Sequence, residues 1–83
     1  MRAEDILPDS QNQIERNGIL IRKGSVGAFL ASARIWCAPD TAPAQRKAAE
    51  RDILEVLPGL RALGLFEVFS VRNAELQRLI DTH

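Results

Sequence analysis

The side chains able to do chemistry in this sequence are few and far apart. The one thiol, Cys37, follows Trp36 at the close of an apolar stretch, and the one imidazole, His83, is the last of the 83 residues. A Cys-His nucleophilic pair needs both groups held within hydrogen-bond reach. A chain-end histidine does not offer that, so Cys37 reads as a structural, buried thiol. Glu4, Asp5 and Asp9 cluster near the start, yet carboxylates without an enclosing pocket make neither a general acid nor a rigid cation site. A lone cysteine also excludes an intrachain disulfide and a cysteine-rich zinc site. The expectation is a protein that is not an enzyme, with no catalytic residue, no metal and no cofactor.

Anion binding is the chemistry with most to recommend it. The run Lys23-Gly24-Ser25-Val26-Gly27 sits where a β-type apolar stretch, Ile19 to Ile21, gives way to helical spacing. A helix N-terminus after glycine presents free amides and the positive end of the helix dipole, which suits phosphate. Arg22, Lys23, Gly24, Ser25 and Gly27 therefore form a candidate anion-binding corner. Its spacing fits neither the phosphate-loop nor the dinucleotide pattern, because lysine precedes the first glycine and only two residues separate the pair. The preferred reading is that Gly24 relieves a turn and Ser25 caps a helix.

Arg46, Lys47 and Arg51 make a second basic face, able to meet phosphates or to enter the major groove from a helix-turn-helix. The connector from Cys37 to Thr41 is too long and proline-bearing for such a motif, and Glu50, Asp52 and Glu55 lie close by. A solvated face is the preferred reading, and nucleic acid is not the expected partner. Phe66 and Phe69 are three apart, so they point to opposite faces of a regular strand. They cannot form a joint base-stacking platform, and both read as core.

Periodicity supplies the elements that must position these groups. Residues 1 to 11, where Pro8 stops Ile6 and Leu7, read as an acidic, flexible arm. Asn17-Gly18 is either a two-residue hairpin turn, with Gln13 to Arg16 as a first strand, or the left-handed cap of a short helix. Ile19 to Arg22 reads as a strand, and from Ser25 the apolar positions Val26, Phe29, Leu30, Ala33 and Trp36 recur at helical spacing. The small-residue flank of that helix, Ala28, Ala31, Ser32 and Ile35, could admit another helix and is the candidate oligomer contact. Thr41 is placed to cap a second helix, with Pro43 in its first turn. That helix runs to Leu57 with Ala49, Ile53, Val56 and Leu57 inward. Arg46–Glu50 and Arg51–Glu55 pairs are expected on its outer face. Pro58-Gly59 ends it, a further turn follows, and Gly64 serves as a C-cap before a central strand, Leu65 to Val71. Asn73 then caps a short C-terminal helix carrying Leu76, Leu79 and Ile80 inward.

Composition bounds the rest. An apolar share of 46% with 27% charged residues is globular, not disordered. Eleven basic and eleven acidic residues cancel, which argues against a surface tuned as a whole for nucleic acid or anionic membrane. No apolar run approaches the roughly 20 residues of a membrane span, and the start lacks a signal-peptide core, so a cytoplasmic address is expected. So small a domain, with no staple, gains burial by self-association. The expectation is a single α+β domain over residues 1–83. Its two- or three-stranded antiparallel sheet would be packed by two main helices and a short C-terminal one. The function expected is a non-enzymatic, self-associating protein-interaction module, a homodimer or higher homo-oligomer. The alternative is an anion, nucleotide or nucleic-acid binder using residues 22–27 and the basic face of helix 42–57.

Overall fold

A computed structural model describes the backbone of residues 13–16 and 19–22 and all atoms of residues 24–83. Two short strands, β1 (Gln13–Arg16) and β2 (Ile19–Arg22), pair antiparallel with Gln13 opposite Arg22 and Arg16 opposite Ile19. Four helices follow: α1 (Ser25–Cys37), α2 (Pro43–Leu63), α3 (Leu65–Val68) and α4 (Ala74–Asp81). The expected arm at 1–11 and the conformation of Asn17-Gly18 lie outside the described residues.

The α+β expectation is overturned. Residues 24–83 contain helices and no strand, and every buried apolar side chain among the described residues belongs to a helix: Phe29 and Trp36 from α1, Ala49, Ile53, Leu57 and Leu60 from α2, Leu76 and Ile80 from α4. The central strand expected at Leu65–Val71 is instead the single turn α3, closed by the Phe69 amide donating to the Leu65 carbonyl at 2.9 Å, with Phe69 extended beyond it. Gly64 is the cause. Its φ of 91° lets the chain reverse at the end of α2, a conformation only glycine adopts without strain. The reversal returns Leu65 and Phe66 onto the helical core, where they are half-buried. A seven-residue stretch that is mostly apolar is ambiguous between strand and buried helix, and packing decides it.

Local signals were met by different atoms than expected at three junctions. Gly24, with φ of 88°, occupies the N-cap position of α1, and Ser25 is the first helical residue. Thr41 does not cap α2, whose N-cap is Ala42 with Pro43 in the first turn. The Thr41 hydroxyl donates backward to the Ile35 carbonyl at 2.7 Å and so closes α1. Nor does α2 stop before Pro58. It runs through the proline to Leu63, because Leu57, Gly59 and Leu60 around it are all buried while Pro58 is exposed. Burying Leu57 and Leu60 is worth about 1.5–3 kcal/mol each, enough to offset the roughly 3 kcal/mol that an interior proline costs. Gly64 is the C-cap, its amide donating to the Arg61 carbonyl at 3.0 Å. Asn73 caps α4, its Oδ1 accepting from the Leu76 amide at 3.0 Å.

The helices are locked at one polar junction. The Trp36 indole N–H donates to Glu50 Oε1 at 3.0 Å, and the Arg46 guanidinium lies 4.2 Å from the centre of the Trp36 ring. Arg46 Nη2 also meets Glu75 Oε2 at 3.3 Å. Arg46 of α2 thus bridges the Trp36 indole of α1 and Glu75 of α4. At the far end, Arg61 donates to the Ile80 carbonyl and joins the ends of α2 and α4.

A candidate docking cleft and the dispersed basic face

A recess with apolar walls on both sides lies between α1 and residues 65–72. Val26, Phe29, Leu30 and Ala33 form one wall, Leu65, Phe66, Phe69, Ser70, Val71 and Arg72 the other, and Leu76 reaches its floor. Its volume is about 300 Å³, at the small end for a binding pocket. Phe29 and Phe66 meet edge to face across its base, ring centres 5.9 Å apart at 74°, an arrangement the ring quadrupoles favour. The outer wall is pinned from behind, because the Val71 amide donates to Gln77 Oε1 on α4 at 2.6 Å.

Both walls hold apolar side chains in water. Phe69 is 65% exposed and Leu30 50%. Phe69 is expected in the core, and Leu30 belongs to the apolar stripe of α1 together with Val26, which is also exposed. Of the apolar stripe on α1, only Phe29 and Trp36 are covered, with Ala33 half-buried. Phe69 leaves the core because α3 replaces the expected strand and ends just before it.

The basic residues of α2 do not act together. Arg46 turns toward Trp36 and Glu75, and Glu50 is engaged by the Trp36 N–H, so the expected Arg46–Glu50 pair is replaced by contacts reaching to other helices. Lys47 and Arg51, one turn apart, share an open recess of about 590 Å³ with Ala44, Ala48, Glu50 and Leu54. Arg51 lies 3.8 Å from Asp52 rather than pairing with Glu55. In the anion-binding corner, Gly24, Ser25 and Gly27 stand at the start of α1, and the space where a Gly27 Cβ would sit is open. The side chains of Arg22 and Lys23 lie outside the described residues. On the other shoulder of α1 from the cleft, Ala28 and Ala31 are exposed, Ser32 is half-buried and Ile35 is 47% exposed.

Cys37 is half-buried beside the Trp36 junction. Burial pushes its thiol above the ordinary value, Arg46 pulls it down and Glu75 raises it again. The balance favours the protonated, unreactive form. Among the described residues no group of histidine, cysteine and carboxylate side chains is placed to hold a metal ion, and no helix is long and apolar enough to cross a membrane. Compared with known proteins, the chain matches no family model, no curated protein and no solved structure.

Proposed function

We propose that this chain is a non-enzymatic protein-interaction module that self-associates through the face containing the cleft. One observation carries the reading: Leu30 and Phe69 stand half-exposed or more on opposite walls of a preformed apolar recess. Exposed apolar side chains scattered singly need no explanation, but facing ones around a recess mark interaction surfaces. A domain of this size also has little core of its own to draw on. The anion-binding alternative has less support, since Arg46 is committed to Trp36 and Glu75 rather than to a shared patch with Lys47 and Arg51.

Sedimentation velocity on the full chain across a micromolar concentration series tests this. The wild type should sediment as a dimer whose population falls on dilution, and Leu30→Ser and Phe69→Ser should each shift it toward monomer. Ile35→Ser, on the other shoulder of α1, separates the cleft from the small-residue flank. A wild type that stays monomeric, or a dimer sensitive to Ile35→Ser alone, would overturn the proposal.

A further inference from the structure

Resting on that reading, we infer that the cleft of each copy receives Phe69 of a second copy about a two-fold axis, with Glu67 of either copy meeting Arg72 of the other. Exposure supplies the first argument. Val68 and Phe69 are the two most exposed large apolar side chains among the described residues. They are adjacent, and Phe69 also lines the recess. A two-fold contact sets one patch against its own copy, so a projecting side chain and a recess must share that patch. Here they do. A cavity of about 150 Å³ is enough to hold a benzene ring, so a recess of about 300 Å³ has room for a phenyl group.

The backbone holds the ring in place. Phe69 is extended, with φ of −113° and ψ of 147°, and its amide is tied to the Leu65 carbonyl. Two residues on, the Val71 amide is tied to Gln77. A side chain presented between two anchored amides loses little backbone freedom on docking, which lowers the cost of association.

Charge supplies the second argument, and it selects a second copy over an unrelated partner. Glu67 and Arg72 are both exposed, and neither side chain has an ion-pair or hydrogen-bond partner among the described residues. No acidic side chain is among those forming the cleft walls, so Arg72 meets none there. Glu67 precedes Phe69 by two positions and Arg72 follows it by three, so opposite charges flank the ring along the chain. A two-fold axis across the chain beside Phe69 exchanges these flanks and sets carboxylate against guanidinium twice. An unrelated partner would need only the recess. The exposed ring and the two opposite, unpaired charges at the same place complement a second copy in shape and in sign.

The test uses full-length chains in sedimentation velocity. Glu67→Arg and Arg72→Glu, both at exposed positions, should each weaken the dimer about tenfold, because each sets like charges together at both ends of the contact. An equimolar mixture of the two variants should recover the wild-type dimer population, since a mixed pair has opposite charges at both ends again. If either variant alone sediments as wild type while Phe69→Ser is monomeric, the inference fails and the cleft reading stands. Variants that are weakened but not rescued by mixing would overturn the two-fold pairing. If the wild type never dimerises, the self-association reading falls and takes the inference with it.

Discussion

Replacing Gly64 with alanine isolates the turn on which the helical outcome depends. Gly64 holds φ of 91° and ψ of 15°, beyond the usual left-handed range even for residues that tolerate it. An L-residue forced there loses about 1–2 kcal/mol. The new Cβ would also stand 3.1 Å from Glu67 Oε2. That oxygen is the far end of an exposed side chain, so moving it adds at most a few tenths of a kcal/mol. Reduced freedom of the unfolded alanine chain returns about 0.4–1 kcal/mol. The net expectation is destabilisation by about 1 kcal/mol, measured by urea denaturation followed by far-ultraviolet circular dichroism. With the slope usual for a small domain, about 1 kcal/mol per molar urea, the midpoint should fall by about 1 M. Gly24→Ala is the control, because Gly24 has nearly the same φ, 88°, and open space around the added carbon. The two losses should agree closely. An unchanged midpoint for Gly64→Ala, or a large loss for Gly24→Ala beside none for Gly64→Ala, would refute the reasoning from backbone conformation.

Three further outcomes follow from the same structure. Pro58→Ala should stabilise the protein by about 1–3 kcal/mol, read as a raised thermal midpoint, since it restores an amide to the interior of α2 at an exposed position. A double-mutant cycle of Trp36→Phe and Glu50→Ala in urea should return a coupling of about 1 kcal/mol for the charge-assisted hydrogen bond; a coupling of zero would deny that bond a role in the junction. Cys37 should react with a disulfide reagent more slowly in the folded chain than in urea at the same alkaline pH. Its raised folded value makes its contribution to stability complete at lower pH and progressively lost as pH climbs past the ordinary thiol range toward the raised one. That alkaline loss should shrink in Cys37→Ser.

Much of the helical body could be read from residue spacing. Phe29 and Trp36, Ala49, Ile53 and Leu57, and Leu76 and Ile80 all carry the periodicity that places them inside. Pro43, Gly64 and Asn73 mark ends where capping chemistry requires them. Local rules failed where distant packing outweighed them. Pro58 breaks an isolated helix but not one whose next residues, Gly59 and Leu60, are buried. Leu65 to Val71 has the composition of a strand, yet β2 pairs with β1 and not with it. The cleft was hidden for a related reason. Spacing tells which face of α1 is apolar, but not how far along that face another element extends, so Leu30 and Phe69 could not be told from core residues. Arg46 shows the same limit in electrostatics. The helical rule pairs it with Glu50, four residues away, whereas its partner is Glu75, distant in sequence.

The placing of Trp36 gives the molecule a built-in spectroscopic probe. The chain has one tryptophan and no tyrosine, so near-ultraviolet emission arises from a single indole, and that indole is buried where α1, α2 and α4 meet. It takes no part in the walls of the cleft. Its emission wavelength therefore reports the parting of the three helices while remaining indifferent to what fills the recess. Folding and association can then be followed as separate signals in one unlabelled sample.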